Sequence, residues 1–279
     1  MKKYLALFLT MAMSVGVLAG CGGGNEEPAA TDGADTAERT TFTVGFDAEY
    51  PPYGFKNDAG EYVGFDLDLA QEVCDRNGWE LIKQPIDWSS KDMELNSGTV
   101  DCLWNGFTMT GRESEYTFSE PYVDNSIVFV VRQDSDIQTK EDLAGKIVIT
   151  QAGSSALTAL TNTEDNDENL ALAATFASLE QTPDYNSAFM SLETGAVDAI
   201  AVDIGVAQYQ LTNHSDKFRQ LEEPLSTEQY AIAFKLGNEA LRDQVQATLD
   251  EMVEDGTFDA IAANYADYNL DQMVCLGKE

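Results

Sequence analysis

Apolar residues at Phe42, Val44 and Phe46 alternate with Thr43 and Gly45, a period of two that predicts a strand. The same period returns late in the chain at Tyr230, Ile232 and Phe234. Elsewhere the period lengthens. Leu69, Ala70, Val73 and Cys74 form one stripe at helical spacing, with Asp66 placed to cap the helix and Asn77-Gly78 to close it. Leu241, Val245, Leu249, Met252 and Val253 form a second stripe that Asn238 can cap and Gly256 can end, and a shorter helix carries Phe258, Ile261 and Tyr265. The run at 100–104, with Cys102 and Leu103 inside it, reads as a buried strand entered from a turn at Ser97-Gly98. Residues 143–149 read as loop and strand, after which Gln151-Ala152-Gly153-Ser154-Ser155 opens a helix. The stretch 161–169 is acidic, lacks the spacing of a calcium loop and reads as solvated surface.

One pattern occurs twice. Leu95, Gly98, Val100, Asp101 and Leu103 recur 97 residues later as Leu192, Gly195, Val197, Asp198 and Ile200. Each copy implies a helix end, a glycine that closes it and a buried strand, so the chain builds one supersecondary unit twice. At the end of the strand the first copy offers Asn105-Gly106, where the second offers Asp203.

The chemistry gathers at these strand ends. Beyond Trp104 the apolar pattern stops, and Thr108, Thr110 and Arg112 place two hydroxyls and a guanidinium within a few residues of one another. A guanidinium presents a planar fork that matches two carboxylate oxygens, and hydroxyls and free backbone N–H groups can complete the shell. The plainer reading of Arg112 is a surface residue paired with Glu113 or Glu115. If the two repeated units form facing lobes, one strand end carries this cation in its following loop and the other carries the anion of Asp203, and an α-amino acid needs both. Ser154 and Ser155 sit where a helix starts, so they serve either as plain caps or as part of a carboxylate seat. The first strand runs into Asp47-Ala48-Glu49-Tyr50-Pro51-Pro52-Tyr53, whose prolines fix a loop and whose tyrosines either face a ligand or pack beneath the loop. His214, the single histidine, lies in a polar turn without a nucleophile nearby in sequence and reads as surface.

Charge and address narrow the picture. The 279 residues suffice for two lobes, and 16 Lys+Arg against 49 Asp+Glu leave a formal charge of −33, which argues against a nucleic-acid surface. Lys2-Lys3 precede an apolar run at 4–18 that is too short to span a membrane and reads as a secretory signal. Its end, Leu18-Ala19-Gly20-Cys21, resembles a bacterial lipobox, which implies lipidation of Cys21. Residues 22–41 hold no aliphatic or aromatic side chain larger than alanine and read as a flexible tether with a reach of about 25 Å. Cys74, Cys102 and Cys275 remain, an odd number, and no Cys/His cluster has metal-binding spacing, so neither a metal nor a cofactor is expected.

The run Gly64-Phe65-Asp66-Leu67-Asp68-Leu69, with Val73-Cys74 behind it, resembles the signature segment of the family 3 bacterial extracellular solute-binding proteins, the receptors of ABC importers for polar amino acids. The resemblance continues through Phe118-Ser119-Glu120-Pro121-Tyr122, Asp142-Leu143-Ala144-Gly145-Lys146 and Asp255-Gly256-Thr257-Phe258, and covers about residues 42–268. It implies an α/β, two-lobed, periplasmic-binding-protein-like (type II) fold with two hinge strands and a ligand cleft. The first lobe would comprise 42–131 and 232–279, the second 132–231, preceded by a signal at 1–20 and a lipidated tether at 21–41. By the same resemblance Arg112 would hold a ligand α-carboxylate with Thr108, Ser155 and Ser154. Asp203 would pair with the α-ammonium, and the Gly106 carbonyl would accept from it. Asp47, Tyr50, Tyr53, Trp104 and Asn105 would line the side-chain end, with Tyr50 as stacking partner. Thr110-Gly111-Arg112 places the arginine one residue earlier than the family's commoner spacing. The implied protein is a monomeric, lipid-anchored receptor on the outer face of the cytoplasmic membrane, partnered by an ABC permease and not an enzyme. The competing readings are a dehydratase-like enzyme on the same scaffold and a sensory ligand-binding module.

Overall fold

The computed structural model describes residues 39–162 and 167–278. The expected signal, Cys21, nearly all of the tether and the middle of the acidic stretch lie outside these residues.

The first strand, β1 (Thr41–Phe46), leaves no surface of Phe42, Val44 or Phe46 exposed. β2 (Glu49–Tyr50), β3 (Gly54–Lys56) and β4 (Tyr62–Val63) form a small antiparallel ribbon that leads into α1 (Phe65–Asn77). After β5 (Glu80–Pro85) and α2 (Lys91–Ser97), β6 (Cys102–Leu103) lies parallel to β1, and β7 (Thr117–Phe118) ends this part of the chain. β8 (Val123–Arg132) opens the second sheet, which continues with β9 (Ile147–Gln151), α3 (Ser155–Thr161), α4 (Asp167–Ala173) and β10 (Ser178–Thr182). It is completed by α5 (Tyr185–Thr194), β11 (Ala199–Asp203), α6 (Ile204–Asn213), β12 (Phe218–Gln220) and β13 (Ser226–Tyr230). β14 (Ala233–Phe234) returns to the first sheet, and α7 (Glu239–Glu254), α8 (Thr257–Ala263) and α9 (Leu270–Met273) pack last. The first sheet runs β5-β1-β6-β14-β7 and the second β10-β9-β11-β8-β12, with β13 also paired to β8.

The chain therefore crosses between sheets twice, once at 119–122 and once at 231–232. The first crossing precedes the expected boundary at 131, because 123–131 pairs with β11 and β13 rather than with the first sheet. The two crossings run side by side: Tyr122 N–H donates to Tyr230 O (2.9 Å) and Ser119 N–H to Ile232 O (3.0 Å). Helix α4 also begins inside the stretch expected to be loop, and Asn169 is buried there.

The sequence repeat is a structural one. Gly98 and Gly195 close α2 and α5 in the left-handed conformation, with φ of 78° and 75°. Leu95 and Leu192 are buried on the closing helices, and Val100 and Val197 just before the strands. The repeated aspartates perform one task twice. Asp101 Oδ2 accepts from Thr43 N–H and Asp198 Oδ2 from Ile147 N–H, each at 2.8 Å, fastening a helix–strand connection to the neighbouring parallel strand.

Asp66 does not cap α1. Gly64 occupies that position with φ 138°, where a Cβ would meet Tyr53 O at 2.3 Å, and Asp66 turns inward instead. Its Oδ2 accepts from Gly106 N–H (2.7 Å) and the Tyr122 hydroxyl (2.9 Å). Burial pushes this carboxyl up to about 7, although both hydrogen bonds pull it down.

Candidate functional site

Strands of the two parallel arrays end at one place. In open α/β sheets the crevice beyond the carboxyl ends of the strands is where ligands bind. Here Asp47 follows β1, Asn105-Gly106 lies just beyond β6, Gln151 ends β9 and Asp203 ends β11. Tyr50, Gly106, Thr108 and Arg112 from the first lobe and Gln151, Ser154, Ser155 and Asp203 from the second, with Trp88, enclose a cavity of about 10 Å³. That is room for about one water. The lobes are closed on one another.

Asp203 is the polar centre of this closed space. It stands at the head of α6 but makes no side-chain cap bond, so its carboxylate is available to the cleft. Its Oδ1 accepts from the Tyr230 hydroxyl (2.5 Å) and from Asn125 Nδ2 (2.8 Å). Burial raises its pKa, against the pull of those donors. Four buried tyrosines stand around it: Tyr50 and Tyr230 with hydroxyls 3.3 Å apart, Tyr53 edge-on to Tyr230, and Tyr185 beside Tyr50. Burial first, and the nearby carboxylates second, hold the phenols of Tyr50, Tyr53 and Tyr230 well above their usual range, so they stay protonated. Gly106, at φ 57°, passes so close that a Cβ there would lie 2.9 Å from Tyr230 and 3.0 Å from Tyr50.

Arg112 reaches the cavity through a tight turn. Its N–H donates to Met109 O (2.9 Å), with Gly111 at φ 78° in the position that a type II turn reserves for glycine. This turn takes up the shortened spacing between Thr110 and the arginine. The guanidinium lies 5.1 Å over the Phe107 ring, and among the described residues no ion pair joins it to Glu113 or Glu115. Ser155 Oγ faces the same space, whereas Ser154 is committed locally, donating to Gln151 O (2.8 Å) and accepting from Leu157 N–H (3.1 Å).

Four of the expected lining residues are placed otherwise. Trp104 is fully buried in the first lobe's core against Tyr122, because β6 is an interior strand covered on both faces. Asn105 stands behind the wall, its Oδ1 accepting from Asp47 N–H (2.9 Å). Asp47 spans the lobes, accepting from Gln151 Nε2 (2.5 Å), and burial pushes it up to about 6. Tyr53 packs on the first turn of α6, where a Cβ on Gly205 would meet its hydroxyl at 2.3 Å.

The sequence reading missed the residue that fills the gap between Thr108 and Ser155. Glu228 Oε1, from β13, accepts from Thr108 Oγ1 (2.6 Å), Ser155 Oγ (3.1 Å) and Asn125 Nδ2 (2.8 Å). Burial, and then the charge of Asp203, raise its pKa. Lys91 was missed as well. It is buried, its Nζ donates across the cleft to Gly153 O (3.0 Å), and burial followed by the nearby Arg112 lowers its pKa. No local signal marked either residue, since both sit in patterns that read as ordinary surface charge.

The L-cystine-binding protein TcyA of Bacillus subtilis (strain 168) is 30% identical over 276 residues, 95% of this chain and 97% of that one. The L-cystine-binding protein TcyJ of Escherichia coli (strain K12) is 29% identical over 231 residues, 82% of this chain and 83% of its own length. Among solved structures, Tv2483 bound to L-arginine superposes with a TM-score of 0.77 at 28% identity, covering 86% of this chain and 94% of that one. Residues 42–268, nearly the whole span in which the two lobes and their crossings lie, match the family described as bacterial extracellular solute-binding proteins, family 3, and the chain belongs to that family.

Proposed function

We propose that this protein is an extracytoplasmic receptor that captures a polar amino acid and delivers it to the permease of an ABC importer by cleft closure. In this reading Arg112, Thr108 and Ser155 take the ligand α-carboxylate, with Ser154 shaping the turn beneath them. Asp203 takes the α-ammonium with the Gly106 carbonyl, Tyr50 lies against the side chain, and Asp47 with Tyr53 ties the lobes together. The two crossings at 119–122 and 231–232 are the hinge. Cys21 carries the lipid that holds the receptor, a monomer, on the outer face of the membrane, and residues 1–20 direct its export. The protein needs no metal or cofactor and is not an enzyme.

The observation that carries the proposal is the meeting, in one closed space, of a guanidinium and hydroxyls with a buried carboxylate, drawn from both lobes. Each lobe then supplies part of a zwitterion's shell, so ligand favours the closed arrangement through contacts that vanish on opening. The cystine-binding relatives and the arginine-bound neighbour support the same class of solute.

Calorimetric titration with the common amino acids and cystine, after unfolding and refolding to strip carried ligand, tests it. Arg112→Ala and Asp203→Ala should each lose about 2 to 4 kcal/mol of binding, because one charge of the ligand is left buried and unpaired. Binding that survives both changes would remove the zwitterion clamp. Turnover of the bound amino acid, followed by product analysis, would move the assignment to an enzyme on this scaffold.

A further inference from the structure

β13 presents two side chains to the cleft. Glu228 and Tyr230 are two residues apart, so strand alternation puts them on one face. Each occupies one half of the shell just described. Glu228 offers a carboxylate to Thr108 Oγ1 (2.6 Å) and Ser155 Oγ (3.1 Å), one donor from each lobe. Tyr230 offers a hydroxyl proton to Asp203 Oδ1 (2.5 Å), as an ammonium would. Asn125 Nδ2 joins the two halves, 2.8 Å from Glu228 Oε1 and 2.8 Å from Asp203 Oδ1. The strand thus satisfies carboxylate donors and ammonium acceptor together, with the lobes closed.

We infer that Glu228 is a tethered competitor of the ligand carboxylate, a residue that sets affinity by holding the closed arrangement until an amino acid displaces it. The inference rests on the zwitterion reading of the cleft. Each hydroxyl has a single proton to donate, so Thr108 and Ser155 cannot serve Glu228 and a ligand carboxylate at once. Two carboxylates in that desolvated space would also repel each other. The displaced side chain has somewhere to go. A groove of about 380 Å³ adjoins the cavity: the two share Thr108, Arg112 and Ser155, and Glu228 already borders the groove, which continues along Thr158 and Thr227. Glu228 can leave the hydroxyls for this groove without β13 losing its pairing to β8, where Glu228 stands opposite Asn125.

Competition of this kind lowers the apparent affinity by the fraction of molecules free to accept ligand. Removing the carboxylate should therefore tighten binding. Glu228→Ala and the isosteric Glu228→Gln would be made in the full chain. Both would be titrated calorimetrically with L-arginine, L-histidine, L-glutamine and L-cystine, with small-angle scattering recorded without amino acid. Glu228→Ala is expected to bind its preferred amino acid roughly ten-fold more tightly than wild type, with Glu228→Gln between them. Wild type should be compact before any amino acid is added, and Glu228→Ala should have a larger radius of gyration that ligand brings down. Affinity that is unchanged or weakened in both variants would overturn the inference, the latter outcome making Glu228 a direct contact for a ligand cation. A wild-type protein as expanded as Glu228→Ala before ligand is added would also overturn it. If wild type binds none of the four amino acids, the zwitterion reading fails for this set, and the scattering comparison alone still decides whether Glu228 holds the lobes together.

Discussion

Asp66 carries the sharpest consequence at the scale of one residue. Its carboxylate fastens the Gly106 turn to α1 from beneath the cleft, at full burial, and its pKa stands at about 7 against an ordinary 3.8. A raised folded-state pKa means that the folded protein holds a proton the unfolded chain has already lost between pH 4 and 7, so this group's contribution to stability falls as pH rises through that window and is level above it. Asp66→Asn keeps an acceptor for Gly106 N–H and does not titrate. In urea unfolding, its stability relative to wild type should improve by a few kcal/mol from pH 4 to pH 7 and then stay constant. A difference independent of pH would mean that Asp66 titrates normally. The expected cap role failed because Gly64 already fills the cap position in a conformation that only glycine tolerates there.

Among elements, the duplicated helix–strand unit was the most legible feature of the chain. A glycine that must be left-handed, an apolar strand and an aspartate at fixed spacing are local requirements, and local requirements are written locally. What the aspartate does was not legible, because its partner lies on another strand: Thr43 for Asp101 and Ile147 for Asp198. Asp198→Ala leaves the Ile147 N–H without its acceptor and should cost about 1 to 2 kcal/mol of unfolding free energy. The equivalent Asp101→Ala should cost a similar amount and also release Arg39, which pairs with Asp101 at 2.9 Å. Equilibrium denaturation of the two variants checks this, and a neutral result in both would deny the aspartates their fastening role.

For the molecule as a whole, closure depends on contacts that only the assembled lobes possess. Asp47 reaches Gln151, Lys91 reaches Gly153, Glu49 reaches Asn186, and Tyr53 lies on Gly205. The last contact leaves no space for a side chain, since a Cβ at Gly205 would also lie 2.8 Å from the ring of Tyr53. Gly205→Ala should hold the lobes apart and weaken amino-acid binding by about ten-fold, because overpacking at a buried interface is relieved most easily by opening it. Adding Tyr53→Ala should return part of the lost affinity. Wild-type binding by Gly205→Ala would show that closure does not require this contact.

The sequence by itself determined the doubled unit, the strand ends and the residues with chemistry beside them: Arg112 and Thr108 after one strand, Ser155 after another, Asp203 at a third. These follow from periodicity, glycine positions and residue type, all of which act over a few neighbours. Only the tertiary structure decided that Trp104 faces the core, that Asp66 supports Gly106 from 40 residues away, and that Glu228 answers Thr108 across 120 residues. An alternating pattern tells which side chains share a face, but not which strand, in which register, will lie against it. That choice is made by pairing between distant segments, and in this protein the pairing places β13 in the cleft.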